Sequence, residues 1–283
     1  MTALPLGFGV SGTHGTPLVS RSSTIAMIER SFDLGVRLFD TAPAYGAGEA
    51  ERRLGAAISA IGREKVRIST KAGLSSAGLA RRIRDFSPGG IEASVTASLE
   101  RLGVEGVDLL WLHGADGAEL TGTLLDRLDA LRRAGAFARL GAAGRGAELD
   151  AALDTGRFEA LMAPVHPFLD EVESARLARA KALGLEVHAI ETAGDAPSGV
   201  SAPRSAADLY KLAKVLRARL SGVSGRGRVS HADGLRAALA RPEIDLALVT
   251  TTRPGHLVEA IEIAAAAARR ADGRAGADPL NPA

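Results

Sequence analysis

Short apolar runs alternate with longer helical runs along most of this chain, and this alternation limits the possible folds more than any other feature. Seven runs have β-type composition, and each is followed by a segment of helical character: VRLFDT, VRISTKA, VDLLWLH, ARLGAA, ALMAPVH, LEVHAIE and DLALVTT. Strands that alternate with helices become parallel neighbours joined by crossover helices. The sequence therefore predicts an α/β protein with a parallel sheet.

Helix boundaries carry signals of their own. Helices are expected to begin near Gly48, Pro88, Glu119 and Pro254. Ser87 is a suitable N-cap for the second of these, with proline at the first helical position, and Gly103 is a suitable residue to end it.

Two parallel architectures fit the alternation: an open, doubly wound sheet and a closed eight-stranded barrel. The N-terminal GFGVSG matches the GxGxxG fingerprint of dinucleotide-binding open sheets through Gly7, Gly9 and Gly12. That fingerprint requires a preceding strand and a helix that begins within it, whereas Pro17 and further glycines follow here. Ionisable residues at the ends of three successive strands favour the barrel, whose strand ends converge at one mouth. We predict a single (β/α)8 TIM barrel with parallel strands and outer helices, in which the eighth strand is unassigned.

The domain is expected to cover residues 1–271, and the tail at 272–283, rich in Gly, Ala and Pro, is expected to be disordered. A length of 283 residues suits one large α/β domain. The stretch 194–203 is interpreted as a long surface loop within it.

Composition narrows the function classes. The formal net charge is +2 and the arginines are interspersed with acidic residues, which gives no case for nucleic-acid binding. Cysteine is absent, which excludes disulfides and cysteine nucleophiles. The N-terminus lacks a signal-peptide pattern, and no apolar run is long enough to cross a bilayer. We expect a cytoplasmic protein without a membrane or metal partner.

Three successive strands end on residues that can perform acid–base chemistry. Asp40 ends the first, Lys71 lies at the end of the second, and His113 ends the third. Tyr45 follows Asp40 by five positions. If the strands are neighbours, these four side chains share one pocket. Trp111 lies on the same strand face as His113 and is expected to point into the barrel interior.

The chemistry of such a group can be stated from the residue types. Free tyrosine has a pKa near ~10 and is a poor acid or base at neutral pH. Lys71 is expected to lower the pKa of Tyr45, while Asp40 keeps that lysine charged. His113 could donate a hydrogen bond to a carbonyl oxygen or assist proton transfer. No side chain supplies a hydride, so a redox reaction at this site requires a reduced nicotinamide.

Several motifs resemble the aldo-keto reductase family over roughly residues 4–144. They are FDTAPAYGAGEAERRLGAAI, STKAG and IEASVTASLERLGVEGVDLLWLH, in family order and spacing, with Gly46, Gly48, Glu51 and Gly55 matching the glycine-and-acid pattern after the tyrosine. The resemblance implies a (β/α) barrel and a catalytic tetrad of Asp40, Tyr45, Lys71 and His113. It also implies a nicotinamide cofactor.

The cofactor positions are where this sequence departs from the family. Typical members hold the nicotinamide amide with an asparagine and a glutamine and stack its ring on an aromatic residue. This chain has no glutamine, and its single asparagine is Asn281. GAAG, VHPF and AIET stand at the matching places. The cofactor contacts that we expect are Gly9, Ala143, Gly144, His166, Thr251, Thr252 and Arg253.

The segment around Arg253 is expected to suit a phosphate group. Hydroxyl groups and an arginine precede a helix start at Pro254, and the amides of a helix N-terminus suit a phosphate. The family that these motifs resemble binds the adenosine phosphate of NADPH in this region, so the resemblance implies NADPH rather than NADH, which stays possible. An ordinary capped helix is the other interpretation of this segment, and Arg145 is a second candidate for the contact.

The leading functional hypothesis is an NADPH-dependent oxidoreductase that reduces an aldehyde or ketone to an alcohol, with Tyr45 as general acid. One alternative is a redox-neutral lyase or isomerase on the same tetrad, and another is a non-catalytic nucleotide-binding relative. The expected partner is a small-molecule carbonyl compound. The loops at 73–87 and 194–205, where substrate would be selected, have few anchoring side chains in the sequence. Substrate identity and oligomeric state stay open.

Overall fold

A closed parallel barrel forms the centre of the structure. The computed structural model describes residues 4–77, 81–194 and 226–275. Its strands are Leu6–Gly9 (β1), Leu38–Asp40 (β2), Arg67–Ala72 (β3), Leu74–Ala77 (β4), Arg81–Arg84 (β5), Val107–His113 (β6), Phe137–Ala143 (β7), Ala160–Pro164 (β8), Glu186–Ile190 (β9) and Leu246–Val249 (β10). In the described chain, β1, β2, β3, β6, β7, β8, β9 and β10 follow one another around the barrel, and β10 closes the ring against β1. The predicted (β/α)8 TIM barrel is confirmed.

Helices surround the barrel. They are Arg21–Asp33 (α1), Glu49–Ile61 (α2), Pro88–Leu102 (α3), Gly122–Arg133 (α4), Ala147–Thr155 (α5), Glu171–Ala182 (α6), His231–Leu239 (α7) and Pro254–Ala275 (α8). The cap of α3 is as the sequence predicts: the Ser87 hydroxyl accepts a hydrogen bond from Gly90 N at 3.1 Å, and Gly103 ends the helix at φ +67°. Helix α4 begins at Gly122, after a turn that starts near the predicted position, because Thr121 and not Glu119 caps it. None of the described helices is long and apolar enough for a bilayer crossing.

The eighth strand is β1, and it lies within the glycine motif. Its residues pair with β2 on one side and with β10 on the other, both in parallel. A Cβ atom on Gly7 would come within 2.6 Å of the Leu248 side chain, so glycine permits the close approach of β1 to β10. The glycines at 12 and 15 bound a short 3-10 turn rather than the start of a long helix. The open-sheet interpretation of this motif is therefore wrong.

Two apolar layers stabilise the barrel. The larger lies between strands and helices and includes Phe8, Ile28, Leu54 and Ile91 among its fully buried members. The smaller fills the interior of the barrel with Leu109, Trp111, Ala143, Ala160 and Met162. Trp111 is fully buried in this second layer, on the side that its alternation with His113 predicts. Burial of each large apolar side chain contributes about 1.5–3 kcal/mol.

The expected start of the C-terminal tail can be compared with the structure only in part, and the expected loop at 194–203 lies mostly outside the described residues. Helix α8 ends at Ala275, within the stretch 272–283 where we expect the tail. Residues 276–283 lie outside the described residues, as does most of the loop expected at 194–203.

Candidate active site

Four strand-end and loop positions converge at one end of the barrel. Asp40 is the last residue of β2, Lys71 is the next to last of β3, and His113 is the last of β6. Because β2, β3 and β6 are consecutive parallel neighbours, their carboxyl ends lie side by side. Tyr45 lies in the loop between β2 and α2, and the Lys71 Nζ atom is 5.5 Å from the centre of its ring. The structure thus brings the four predicted residues together.

Asp40 and Lys71 form a buried ion pair. Their exposed fractions are 4% and 2%, and the Lys71 ammonium donates to one carboxylate oxygen of Asp40. Ser69 Oγ donates to the other oxygen at 2.7 Å, and the ammonium also donates to the carbonyl of Thr41 at 3.0 Å. Burial is the largest single influence and acts to lower the pKa of Lys71, but the negative charge of Asp40 and the interaction with Tyr45, with the hydrogen bonds to both, together raise that pKa. The lysine is a fixed cation at neutral pH.

Tyr45 is more weakly acidic than the sequence predicts. Burial raises the pKa of the Tyr45 phenol, and the charge of Asp40 raises it further. Lys71 lowers it, as expected, but by less than burial raises it. The expected lowered pKa is therefore wrong for the chain by itself, because desolvation of the phenolate exceeds its attraction to the ammonium. Tyr45 carries its proton at neutral pH, which is the state a general acid needs.

His113 is a neutral imidazole. Burial lowers its pKa to about 3, and the positive charges of Lys71, Arg82 and Arg84 act in the same direction. Its Nδ1 atom is buried and has no hydrogen-bond partner among the described residues. A neutral imidazole can still donate one N–H, so His113 is suited to orient a carbonyl oxygen rather than to supply a full positive charge.

A second buried acid holds the tyrosine loop in place. Glu51, in the first turn of α2, is fully buried, and it accepts a hydrogen bond from Thr70 Oγ1 at 2.7 Å. Arg101 of α3 donates to its other carboxylate oxygen. Since Thr70 immediately precedes Lys71, this network ties the helix after Tyr45 to the strand that carries Lys71. Sequence reasoning noted Glu51 only as part of a motif, and no local pattern indicates that Arg101, fifty positions later, is its partner.

Three of the positions expected to contact the cofactor have backbone atoms that contact other residues of the barrel. The carbonyl of Gly9 accepts from Thr250 Oγ1 at 2.9 Å. Ala143 is buried in the barrel interior, paired with His113 and Met162 on the two neighbouring strands. Gly144 N donates to the carbonyl of Met162 at 3.2 Å. These positions shape the floor of the site through their backbones and offer no side-chain donor for an amide.

Among the expected positions after β7 and β8, His166 is the one with a polar side chain. It is 4% exposed and follows β8, where it borders a cavity of about 220 Å³ that also contacts Arg145 and Arg176. Its Nδ1 accepts from Phe168 N at 3.2 Å, so Nε2 carries the proton and can donate. The described residues after β9, 191–194, include no aromatic ring. The described residues at these places thus offer one imidazole donor and no ring for stacking, where the resembled family has amides and an aromatic.

The segment after β10 suits an anion. Arg253 N donates to Thr251 Oγ1 at 3.1 Å, a capping contact at the start of α8, and the Thr251 carbonyl accepts from the buried His14 Nε2 at 2.9 Å. The Arg253 side chain is exposed and has no carboxylate partner among the residues described. Thr252 lies between them, half-buried. A free guanidinium beside a helix start fits a phosphate, although the capping-helix interpretation also describes part of the same geometry.

Comparison with known proteins agrees with this barrel. A model of the Aldo/keto reductase family matches residues 5–182. The chain is 33% identical to D-threo-aldose 1-dehydrogenase of a Pseudomonas species, over 57% of this chain and 60% of that protein. It is 30% identical to NADH-specific methylglyoxal reductase of Escherichia coli (strain K12), over 40% of this chain and 39% of that protein.

The fold likeness extends further than the sequence likeness. The solved structure of an aldo-keto reductase of Bacillus halodurans superimposes with a TM-score of 0.71 at 20% identity, over 98% of this chain and 88% of that one. A barrel with a buried Asp–Lys pair, a tyrosine and a histidine at neighbouring strand ends, matched by the family model over most of its length, defines the class. This chain belongs to the aldo/keto reductase family. It spans 60% and 39% of the lengths of the two curated relatives above.

Proposed function

We propose that this chain uses NADPH to reduce an aldehyde or ketone to an alcohol. The observation that carries the proposal is the buried group in which a protonated Tyr45 lies beside the Asp40–Lys71 pair and a neutral His113. One relative named as a dehydrogenase and one named as a reductase support the same reaction class.

The roles follow from the protonation states. His113 donates a hydrogen bond to the substrate carbonyl oxygen and fixes its position. Tyr45 gives its proton to that oxygen as negative charge develops there. Lys71 stabilises the phenolate that remains, and Asp40 balances the charge of Lys71 in the buried site. The hydride that carbonyl reduction requires is supplied by the reduced nicotinamide of the bound cofactor.

At the mouth of the barrel lie the residues that would hold the cofactor. Thr251, Thr252 and Arg253 would hold its adenosine phosphate, and the Arg253 cation favours NADPH over NADH. The backbones of Gly9, Ala143 and Gly144 would contact the cofactor. The imidazole of His166 would donate the hydrogen bond that an amide side chain donates in the resembled family. NADH is the competing choice, since one relative is named as NADH-specific.

Calorimetric titration of the full chain with NADPH and NADH, followed by a panel of aldehydes and ketones, tests the proposal. We expect NADPH to bind more tightly and to be consumed with a carbonyl substrate. Tyr45→Phe should lower kcat by about 10²–10⁴-fold, the usual contribution of a proton donor, while the NADPH Kd changes less than about twofold. If Tyr45→Phe turned over as fast as the wild type, Tyr45 could not be the general acid.

A redox-neutral acid–base reaction is the second candidate. It is favoured by one observation, the lack of amide side chains at the ends of β7 and β8 in the described chain. Under this alternative, neither cofactor binds in calorimetry, and a substrate that can lose or move a proton next to a carbonyl is converted only when Tyr45 is present.

A further inference from the structure

A β-hairpin contacts the loop that carries Tyr45 and the loop that follows His113. Strands β4 and β5 are the next strands after β3, which carries Lys71, and they pair in antiparallel fashion, with Ser76 opposite Arg82 and Leu74 opposite Arg84. The stretch 73–87 is expected from its sequence to have few anchoring side chains, and the structure shows two anchors. Their positions give the hairpin a defined place at the barrel mouth.

The anchors lie next to the catalytic candidates. Ser76 Oγ donates to the carbonyl of Ala44, the residue before Tyr45, at 2.8 Å. Arg84 donates to the carbonyl of Gly114, the residue after His113, at 2.6 Å. The hairpin therefore bridges the two loops, and Arg82 lies directly opposite the Ser76 anchor and two residues before the Arg84 anchor.

The two arginines of β5 differ in their pairing. Arg84 is bound to Glu119, with 2.7 Å between its Nε and Oε1, and its guanidinium lies 4.8 Å from the centre of the Phe86 ring. Arg82 is exposed, and no carboxylate of the described residues pairs with it. Residues two apart on a strand share a face, so Arg82 lies on the same side of β5 as Arg84. Its positive charge acts on both Tyr45 and His113, lowering the pKa of each.

The cations around the site are otherwise neutralised. Asp40 pairs with Lys71, and Glu119 and Asp116 lie within ion-pair distance of Arg84. Arg82 is the cation near Tyr45 and His113 that lacks such a partner in the described chain. An exposed guanidinium at the rim of a site offers two parallel N–H donors, which match a carboxylate in geometry and charge.

We propose that Arg82 binds a carboxylate of the substrate, so that the preferred substrates are aldehydes or ketones that bear a carboxylate group. This inference rests on the proposed carbonyl reduction, and it names the class of carbonyl compound that the site selects. The carboxylate is bound at the hairpin while the carbonyl oxygen lies between Tyr45 and His113.

The test compares 4-carboxybenzaldehyde with its methyl ester, which has the same ring and aldehyde but no charge. The quantity measured is the ratio of kcat/KM for the acid to kcat/KM for the ester. The wild-type chain should favour the acid, and Arg82→Gln should lower the ratio by about tenfold, the effect of losing one charged hydrogen bond. Arg82→Lys should keep part of the preference, and Arg82→Glu should reverse it. Arg127→Gln, which removes an exposed arginine on α4, is the matched control and should leave the ratio as it is.

A binding measurement separates this inference from the proposed reaction. Calorimetry with 4-carboxybenzyl alcohol, with and without NADPH, requires no turnover and should show a Kd about tenfold higher in Arg82→Gln than in the wild type. Equal Kd values, no binding to the wild type, or an unchanged acid-to-ester ratio would overturn the role of Arg82. If the wild type reduces the ester but the acid-to-ester ratio is the same in the Arg82 variants, the carbonyl reduction is supported and the preference for anionic substrates is contradicted. If neither aldehyde is reduced yet the alcohol binds through Arg82, the carbonyl reduction fails and the anion site stands.

Discussion

The indole of Trp111 on β6 lies directly against the backbone of Gly141 on β7. The two residues are paired across the neighbouring strands, and a Cβ atom at position 141 would come within 2.3 Å of the indole ring. On its other side, Trp111 meets the ring of His188 edge-on, with 5.1 Å between the ring centres. Gly141 thus provides the space that lets a large ring fill the barrel interior beneath the tetrad.

The Gly141→Ala substitution should lower the free energy of unfolding by about 1–3 kcal/mol, because an added methyl group overpacks a rigid interior. Urea denaturation followed by Trp111 fluorescence measures it. Gly89→Ala is the matched control, since a Cβ atom there meets nothing within 4 Å on α3, and it should not destabilise the chain. Equal stability of the wild type and Gly141→Ala would show that Trp111 can move aside.

Replacing only one partner of the buried ion pair should lower the free energy of unfolding more than replacing both partners. Lys71→Met leaves the Asp40 carboxylate buried without its cation and should lower the free energy of unfolding by about 3–5 kcal/mol. Adding Asp40→Asn to the same chain should restore most of that loss. Neither variant should reduce a carbonyl compound, because Tyr45 lacks the ammonium that stabilises its phenolate. Denaturation of the single and double variants gives the coupling between the two residues, and a single variant as stable as wild type would contradict the pair's energetic role.

The reduction rate should be flat between about pH 5 and 8. With a pKa of about 3, His113 stays neutral throughout this range, and the raised pKa of Tyr45 keeps its proton in place. In the direction of alcohol oxidation Tyr45 must act as a base, so that rate should rise with pH as the phenolate forms. Steady-state kcat/KM profiles in both directions measure these trends. A reduction profile that falls below pH 6.5 would instead place the pKa of His113 near its ordinary value.

Arg253 should set the preference between the two nicotinamide cofactors. Arg253→Ser removes a charged partner of the additional phosphate and should raise the Kd of NADPH by about tenfold or more, while the Kd of NADH changes little. Paired titrations with the two cofactors provide the comparison. Arg145→Ser addresses the other candidate raised by the sequence, and a larger loss of NADPH binding there would reassign the phosphate contact.

Local pattern predicted much of this architecture. The seven β-type runs became barrel strands, and the Ser87 and Gly103 signals placed the ends of α3 correctly. The eighth strand could not be assigned from the sequence, because LGFG contains no β-branched residue. Its glycines serve the close approach of β1 to β10, and that contact exists only once the ring is closed.

The residues that form the site could be predicted from the sequence, but their pKa values could be predicted less well. Strand order follows from the alternation of elements, so the meeting of Asp40, Lys71 and His113 could be foreseen. The direction of the Tyr45 pKa could not, because it depends on how deeply the loop is buried relative to its distance from Lys71. The partner of Glu51 and the anchors of the Arg82 hairpin are long-range contacts, which no sequence spacing encodes.

The pairing of β1 with β10 has a consequence for synthesis on the ribosome. A nascent polypeptide already contains Asp40, Tyr45, Lys71 and His113 when less than half of it has been translated, yet the gap beside β1 stays open until Leu246–Val249 emerge. Contacts so distant in sequence form late, because a long loop must close before they are made. Ribosome stalling or a premature stop before β10 would thus release a product with every chemical group of the tetrad and an unsealed barrel around it.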